Sequence, residues 1–287
     1  MRLRLGGRTF GPGEYAVMAI VNRTPDSFFD RGATYADDAA LDRVARVVEE
    51  GAAIVDVGGV KAGYGEEVSV AEELRRTAPF VAEVRSRYPD LVLSVDTWRA
   101  PVARELCAAG ADLINDTWSG ADPSLVEVAA EHSVGLVCSH TGGLPPRTDP
   151  HRVAYDDVVA DIIARVSELA RRAVAAGVRR DGILIDPTHD FGKNTWHSLE
   201  VTRRLAELVD TGWPVLVALS RKDFIGETLD LPVDARLPGT LAATAISAWL
   251  GARVFRAHDV QATRQVLDMV ASIRGDRPPA IARRGLV

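Results

Sequence analysis

One joint recurs along the chain and limits what it can fold into. Gly51-Ala52-Ala53-Ile54-Val55-Asp56, Gly110-Ala111-Asp112-Leu113-Ile114-Asn115 and Gly251-Ala252-Arg253-Val254-Phe255-Arg256 each follow a stretch of helical period. The glycine supplies the left-handed conformation that ends a helix. A short apolar run then enters a strand, and a polar residue closes it. A helix that ends directly in a short strand is the repeating part of a parallel sheet, because parallel strands need crossover connections.

Extending the pattern gives strands at Ala16–Val21, Ala53–Val57, Leu91–Val95, Leu113–Asn115, Gly135–Cys138, Ile183–Ile185, Val215–Leu219 and Val254–Arg256. Helical patterns fall at Asp37–Glu50, Val70–Arg87, Asp156–Ala176, Ser198–Asp210, Gly239–Leu250 and Val260–Arg274. Asp122-Pro123 and Trp98-Arg99-Ala100-Pro101 read as further helix starts. The strands are apolar on both faces, as in a parallel sheet covered by helices. Eight βα units in a chain of 287 residues specify an α/β fold, a (β/α)₈ TIM barrel formed by one domain over residues 1–287. Residues 1–15 read as a small hairpin, Arg2–Leu5 and Arg8–Phe10 about Gly6-Gly7, capping the barrel floor. An open doubly wound sheet would call for Gly-x-Gly-x-x-Gly after the first strand. The chain has Asn22-Arg23-Thr24-Pro25-Asp26-Ser27-Phe28 there instead.

Barrels of this kind place chemistry where strands end and βα loops begin. Those positions hold Asn22, Asp56, Asp96, Asn115, His140, Asp186, Ser220-Arg221-Lys222, and Arg256 with His258. Any one could be a helix cap or a loop tie, but a polar group at every strand end exceeds what caps require. Asp96, Asn115 and Asp186 offer acceptors and an amide to a flat heterocycle rich in N–H donors. Asn22, Arg256 and His258 suit an oxyanion, and Lys222 can donate to a ring carbonyl.

The net charge of −6 excludes nucleic acid and anionic membrane as main partners, since both require a basic surface. Cys107 and Cys138 lie in apolar segments and read as buried reduced thiols. No run approaches the ~18 apolar residues of a membrane span, so the expected location is the cytoplasm. No strand ends in a His-x-His pair, which argues against a metal-dependent hydrolase. His132 and His151 read as surface or structural groups, and His197 sits at a helix start with Thr195 as a cap. Trp98 and Trp118 read as packing over the barrel mouth, a pocket wall being the alternative. Trp213 and Trp249 read as core. Residues 142–154, with Pro145-Pro146 and Pro150, read as a lid or partner surface.

The chain resembles the dihydropteroate synthase family. The resemblance rests on Asn22-Arg23-Thr24-Pro25-Asp26-Ser27-Phe28, Asp56-Val57-Gly58-Gly59, Ser94-Val95-Asp96-Thr97, Ile114-Asn115-Asp116, Asp186-Pro187 with Phe191-Gly192-Lys193, Ser220-Arg221-Lys222 and Arg256-Ala257-His258-Asp259, in that order. Members join 6-hydroxymethyl-dihydropterin pyrophosphate to para-aminobenzoate and release pyrophosphate. The resemblance implies that Asp96, Asn115, Asp186 and Lys222 bind a pterin. It implies that Asn22, Arg256 and His258 hold the pyrophosphate, with Mg²⁺ near Asn22. Asn22, Lys222, Arg256 and His258 would then form the catalytic set, stabilising charge on the departing oxygens. The aniline nitrogen is the nucleophile, so Cys138 and Ser220 need not act as one. Family barrels are commonly dimers, which implies a homodimer.

The departures from the family gather where aminobenzoate should bind. Val60-Lys61-Ala62-Gly63-Tyr64-Gly65 replaces Glu-Ser-Thr-Arg-Pro-Gly. Lys61 keeps a positive charge but lacks the planar arginine fork. Asp223 replaces the serine after Arg-Lys. Unpaired, it would repel a carboxylate about 4 Å away by roughly 1–4 kcal/mol, and Lys61, Arg221 and Lys222 are its candidate partners. Arg23 replaces a small apolar residue, Thr188-His189-Asp190 a glycine-containing stretch, and Ser139-His140-Thr141-Gly142 a segment in which methionine flanks histidine. The implied protein is a divergent paralogue that binds a pterin pyrophosphate-type ligand, with condensation to aminobenzoate weak or lost and an altered acceptor site at Lys61, Arg221 and Asp223. The alternatives are an active synthase, a non-catalytic binding barrel, a transferase with another acceptor, and a pterin-dependent methyltransferase. Arg256 with His258 speaks against the last.

Overall fold

The computed structural model describes residues 2–25, 32, 34–63, 65–148 and 154–284. Two short strands open the chain, β1 (Leu3–Leu5) and β2 (Arg8–Phe10), paired antiparallel. The barrel strands are β3 (Ala16–Asn22), β4 (Ile54–Gly58), β5 (Val92–Asp96), β6 (Leu113–Asp116), β7 (Gly135–Ser139), β8 (Ile183–Asp186), β9 (Leu216–Ala218) and β10 (Val254–Ala257). Between and after them lie α1 (Asp37–Glu49), α2 (Val70–Arg87), α3 (Ala100–Ala108), α4 (Leu125–Glu131), α5 (Val158–Ala175), α6 (Thr195–Arg203), α7 (Leu205–Val209), α8 (Asp223–Leu229), α9 (Leu237–Trp249) and α10 (Val260–Arg274).

The eight strands pair in the order β8-β7-β6-β5-β4-β3-β10-β9, all parallel. The Ile185 amide donates to the Pro214 carbonyl at 2.9 Å beside an Ile185–Val215 bridge, and this closes β8 on β9. The barrel read from the sequence is the barrel observed. The joint glycines behave as expected, with φ of 95° at Gly51, 110° at Gly110 and 109° at Gly251.

Strand alternation divides the core in two. Val17, Ala19, Val21, Val55, Val57, Leu93, Val95 and Ile114 point outward into the helical layer. Met18, Ile54, Val92, Leu113, Val137, Leu184, Leu216 and Val254 point into the barrel, where Leu3, Leu5 and Phe10 of the hairpin join them. The hairpin therefore plugs the floor with apolar side chains. Asp56, Ser94, Asp96 and Arg256 lie toward the opposite, C-terminal ends of their strands.

Several local expectations change. Ser198–Asp210 is two helices, α6 and α7, and the cap of α6 is Asn194, paired with His197 in a reciprocal capping box, not Thr195. Asp122 starts no helix directly. It accepts from the first amide of α3 (Ala100, 2.8 Å), and α4 begins at Leu125. Trp213 is core, but Trp249 is 55% exposed on α9, because that helix is apolar on its outer face as well. His151 lies outside the described residues. Cys107 and Cys138 are buried free thiols, as read.

Candidate functional site

The inward-facing positions one turn of pleat above the apolar layer carry a connected set of charges. Asp56, on β4 between Ile20 and Ser94 in register, is fully buried. It accepts from Ser94 Oγ at 2.5 Å, Asn115 Nδ2 at 3.2 Å and Arg256 Nε at 2.6 Å. Arg256 Nη2 donates to Asp96 Oδ2 at 2.9 Å, and Thr117 Oγ1 donates to Asp96 Oδ1 at 2.9 Å. One guanidinium thus serves two carboxylates. Burial pushes the Asp96 carboxyl up to about 7; Arg256 opposes this and the Asp56 charge adds to it. Burial also works against the Arg256 charge, but Asp56 and Asp96 outweigh it and hold its pKa above the ordinary value.

A second group comes from β8 and the loop after β9. Asp186 Oδ1 accepts from the Thr188 amide at 2.7 Å, and burial raises its pKa against the opposing charge of Lys222. Lys222 donates to the His189 carbonyl at 2.5 Å and stands 5.0 Å from the centre of the Phe191 ring; burial lowers its pKa. Phe191 meets Trp118 edge-on at 5.4 Å. Trp118 is therefore a wall of the cavity, whereas Trp98 lies under the Arg99 guanidinium at 4.8 Å.

The third group is the β3–β10 rim. Asn22 lies at the end of β3, and its carbonyl accepts from Thr34 Oγ1 at 2.5 Å. His258 Nδ1 is 2.9 Å from Ser220 Oγ, and Arg43 Nη2 reaches the His258 carbonyl at 2.5 Å. Burial, then the nearby Arg256 charge, lowers His258 to about 3, so its imidazole is neutral at pH 7.

These groups surround a cavity of about 310 Å³. Asn22, Asp96, Lys222, Arg256 and His258 line it, and so do Lys61 and Asp223 at its outer end. Asn115 and Asp186, buried at the ends of β6 and β8, are not among its lining residues. Arg221 points elsewhere. Its guanidinium grips Asp259 at 2.9 and 3.0 Å and donates to the carbonyls of Val233 and Asp234. Asp223 pairs with none of the three cations expected for it but with Arg236 at 2.7 Å, and its side chain is 66% exposed. Its repulsion of an anion therefore falls at the low end of the range given above. His140, also at a strand end, is buried against Asp161 at 2.8 Å and does not reach the cavity.

Two groups that matter here carried only weak signals in the sequence. Asp56 stood at a strand end with no assigned role, yet three side chains converge on it. Lys193 was part of a motif only; it is buried and donates to the carbonyls of His140, Phe191 and Thr188 at 2.9, 2.8 and 3.2 Å.

The pterin binding enzyme family profile matches residues 18–258. Inactive dihydropteroate synthase 2 of Mycobacterium leprae is 60% identical, with both chains covered in full. The dihydropteroate synthase of Escherichia coli is 37% identical over 94% of this chain and 95% of its own. Among solved structures, Yersinia pestis dihydropteroate synthase in a sulfonamide drug complex superposes with a TM-score of 0.91 at 37% identity, covering 96% of this chain and all of that one. Dihydropteroate synthase from Xanthomonas albilineans in complex with 7,8-dihydropteroate gives 0.83 at 37% identity, covering 98% and 100%.

Proposed function

The chain belongs to the pterin-binding dihydropteroate synthase family, and on that footing we propose that it is a paralogue that holds a pterin pyrophosphate-type ligand while condensing it with para-aminobenzoate weakly or not at all. The observation that carries this reading is the unequal state of the two halves of the cavity. The inner end keeps the groups expected of a pterin site: Asp96 and Lys222 line it, and Asn115 and Asp186 are present and buried at their own strand ends. The acceptor end differs. Lys61 lines it with no ion pair among the described residues, Arg221 is committed to Asp259, and Asp223 adds a carboxylate. The inactive Mycobacterium leprae relative, at 60% identity, supports the same conclusion.

In this reading Asp96 and Asp186 accept N–H groups of the ring, and Lys222 donates to its carbonyl. Asn22, His258 and Arg256 face the diphosphate. Arg256 can contribute through Nη1, since Nε and Nη2 are held by Asp56 and Asp96. The described residues contain no group of three or more His, Cys, Asp or Glu that could cage a metal. The Asn22 amide oxygen fits Mg²⁺ nonetheless, because this ion binds through one or two protein oxygens with the remainder from phosphate and water. Mg²⁺ would supply charge neutralisation to the diphosphate oxygens.

Among the described residues no helix is long and apolar enough to cross a membrane, and a cytoplasmic location accords with the ligand. A homodimer is also part of the proposal. Ile246 and Trp249 on α9 and Met269 and Ile273 on α10 are each more than half exposed on adjacent helices, an apolar face of the kind monomers seldom present.

Calorimetric titration tests the two halves separately. The expected result is saturable binding of dihydropterin pyrophosphate with Mg²⁺ and no added heat on titrating aminobenzoate into that complex. Tight aminobenzoate binding to the complex would contradict the reading.

A further inference from the structure

We propose that Lys193, which does not reach the cavity, is the positioning residue for the heterocycle-binding carboxylate of Asp186 and for the aromatic wall at Phe191; this rests on the pterin-binding reading above. The path is short. Lys193 Nζ donates to the Thr188 carbonyl at 3.2 Å, and the Thr188 amide donates to Asp186 Oδ1 at 2.7 Å. Thr188 Oγ1 adds a bond to the Asp186 carbonyl at 3.0 Å and accepts from the His140 amide at 3.2 Å. The same ammonium donates to the Phe191 carbonyl at 2.8 Å and the His140 carbonyl at 2.9 Å. Burial lowers the Lys193 pKa, and three carbonyl acceptors counter it by meeting the three donors of the ammonium form.

The loop needs such a clamp in this chain. Thr188 and Asp190 have φ of 53° and 70°, and Gly192 follows at 61°. Left-handed backbone is uncomfortable for a β-branched residue and persists only when its surroundings over-determine it. Where the family resemblance calls for a glycine-containing stretch, this chain has Thr188, His189 and Asp190, and Lys193 gathers the Thr188 carbonyl with those of Phe191 and His140. The wall built on that loop is Phe191 against Trp118, with Lys222 over the Phe191 ring.

Charge points the same way. The groups facing Asp186 are Lys222, the Thr188 amide, Lys193 and Arg256, and those facing Lys193 are Asp186, Lys222, Asp190 and Asp161. Burial raises Asp186, and Lys193 is one of the cations that restrain it. Loss of Lys193 therefore moves the protonation of Asp186 to higher pH.

The test uses the full chain labelled with ¹³C at aspartate carboxyls, the Asp186 signal being assigned with Asp186→Asn. Lys193→Met is compared with wild type by carboxyl titration and by the Kd for dihydropterin pyrophosphate with Mg²⁺. Lys193→Gln, which keeps two donors without the charge, replaces it if the Met variant does not fold. The expected result is an Asp186 titration displaced to higher pH together with a Kd raised by about ten- to hundredfold. A folded variant with an unmoved Asp186 titration, or with a moved titration and unchanged Kd, overturns the proposal. If wild type binds no pterin, the reading of function fails, while the titration still decides whether Lys193 sets Asp186.

Discussion

Replacing Arg256 with methionine isolates the feature on which the cavity floor depends. Arg256→Met keeps much of the volume and removes the cation shared by Asp56 at 2.6 Å and Asp96 at 2.9 Å. Asp56 is fully buried and Asp96 is 13% exposed at the cavity wall, so solvent replaces the lost partner only in part. Breaking a buried pair from one side costs about 3–5 kcal/mol. A chain of this length unfolds with an entropy near 0.6 kcal/mol per degree, so the midpoint should fall by about 5–8 °C. The deficit also has a pH signature. The folded-state pKa of Asp96 is raised, to about 7, so its contribution is present at low pH and lost as the pH rises through that value. Removing Arg256 raises that pKa further. The gap between variant and wild type is therefore widest near pH 9 and narrows toward about pH 5, as protonation relieves the unpaired charge. Thermal unfolding followed by circular dichroism across that range provides the assay. A variant as stable as wild type near pH 9, or a gap independent of pH, would refute the shared-cation account and make Arg256 an idle pocket arginine.

Three further outcomes follow from the same geometry. If pterin binds through ionised Asp96, its Kd rises about tenfold per pH unit below about pH 7; a flat profile between about pH 6 and pH 8 would remove Asp96 from the contact set. Gly192→Ala places a Cβ at 2.3 Å from the Thr141 carbonyl on a left-handed backbone, and should cost more than about 2 kcal/mol in denaturant unfolding. A loss of only a few tenths would show that the β8–α6 loop is not held as described. If the exposed α9–α10 face joins two copies, Trp249→Glu with Ile273→Glu should lower the sedimentation coefficient from that of a dimer to that of a monomer; an unchanged coefficient would place any subunit contact elsewhere.

Much of the fold was legible because its signals are local. Gly51, Gly110 and Gly251 announce helix ends within one turn, and each adjoining apolar run is a strand. The hairpin plug was readable from Gly6-Gly7 between alternating residues. The cavity groups were readable as a set, since βα geometry gathers strand ends whatever their separation in sequence. Pairing among them was not. Asp56 and Arg256 are 200 positions apart, and Asp259 claims Arg221 from 38 positions away; composition near either residue does not report which partner the barrel brings. Arg236 was equally invisible as the partner of Asp223, because it stands immediately before α9, in a segment with no strand or motif to mark it. Trp249 was misread as core since tryptophan is apolar, whereas its helix is apolar on the outer face too.

The central claim is that the pterin half of the site survives while the acceptor half does not. Pyrophosphate release from dihydropterin pyrophosphate with Mg²⁺, measured with and without para-aminobenzoate beside an ordinary synthase, tests it directly. The account predicts release that is slow or absent and indifferent to aminobenzoate. Release that depends on aminobenzoate at a rate near the control would contradict it and make this chain a working synthase.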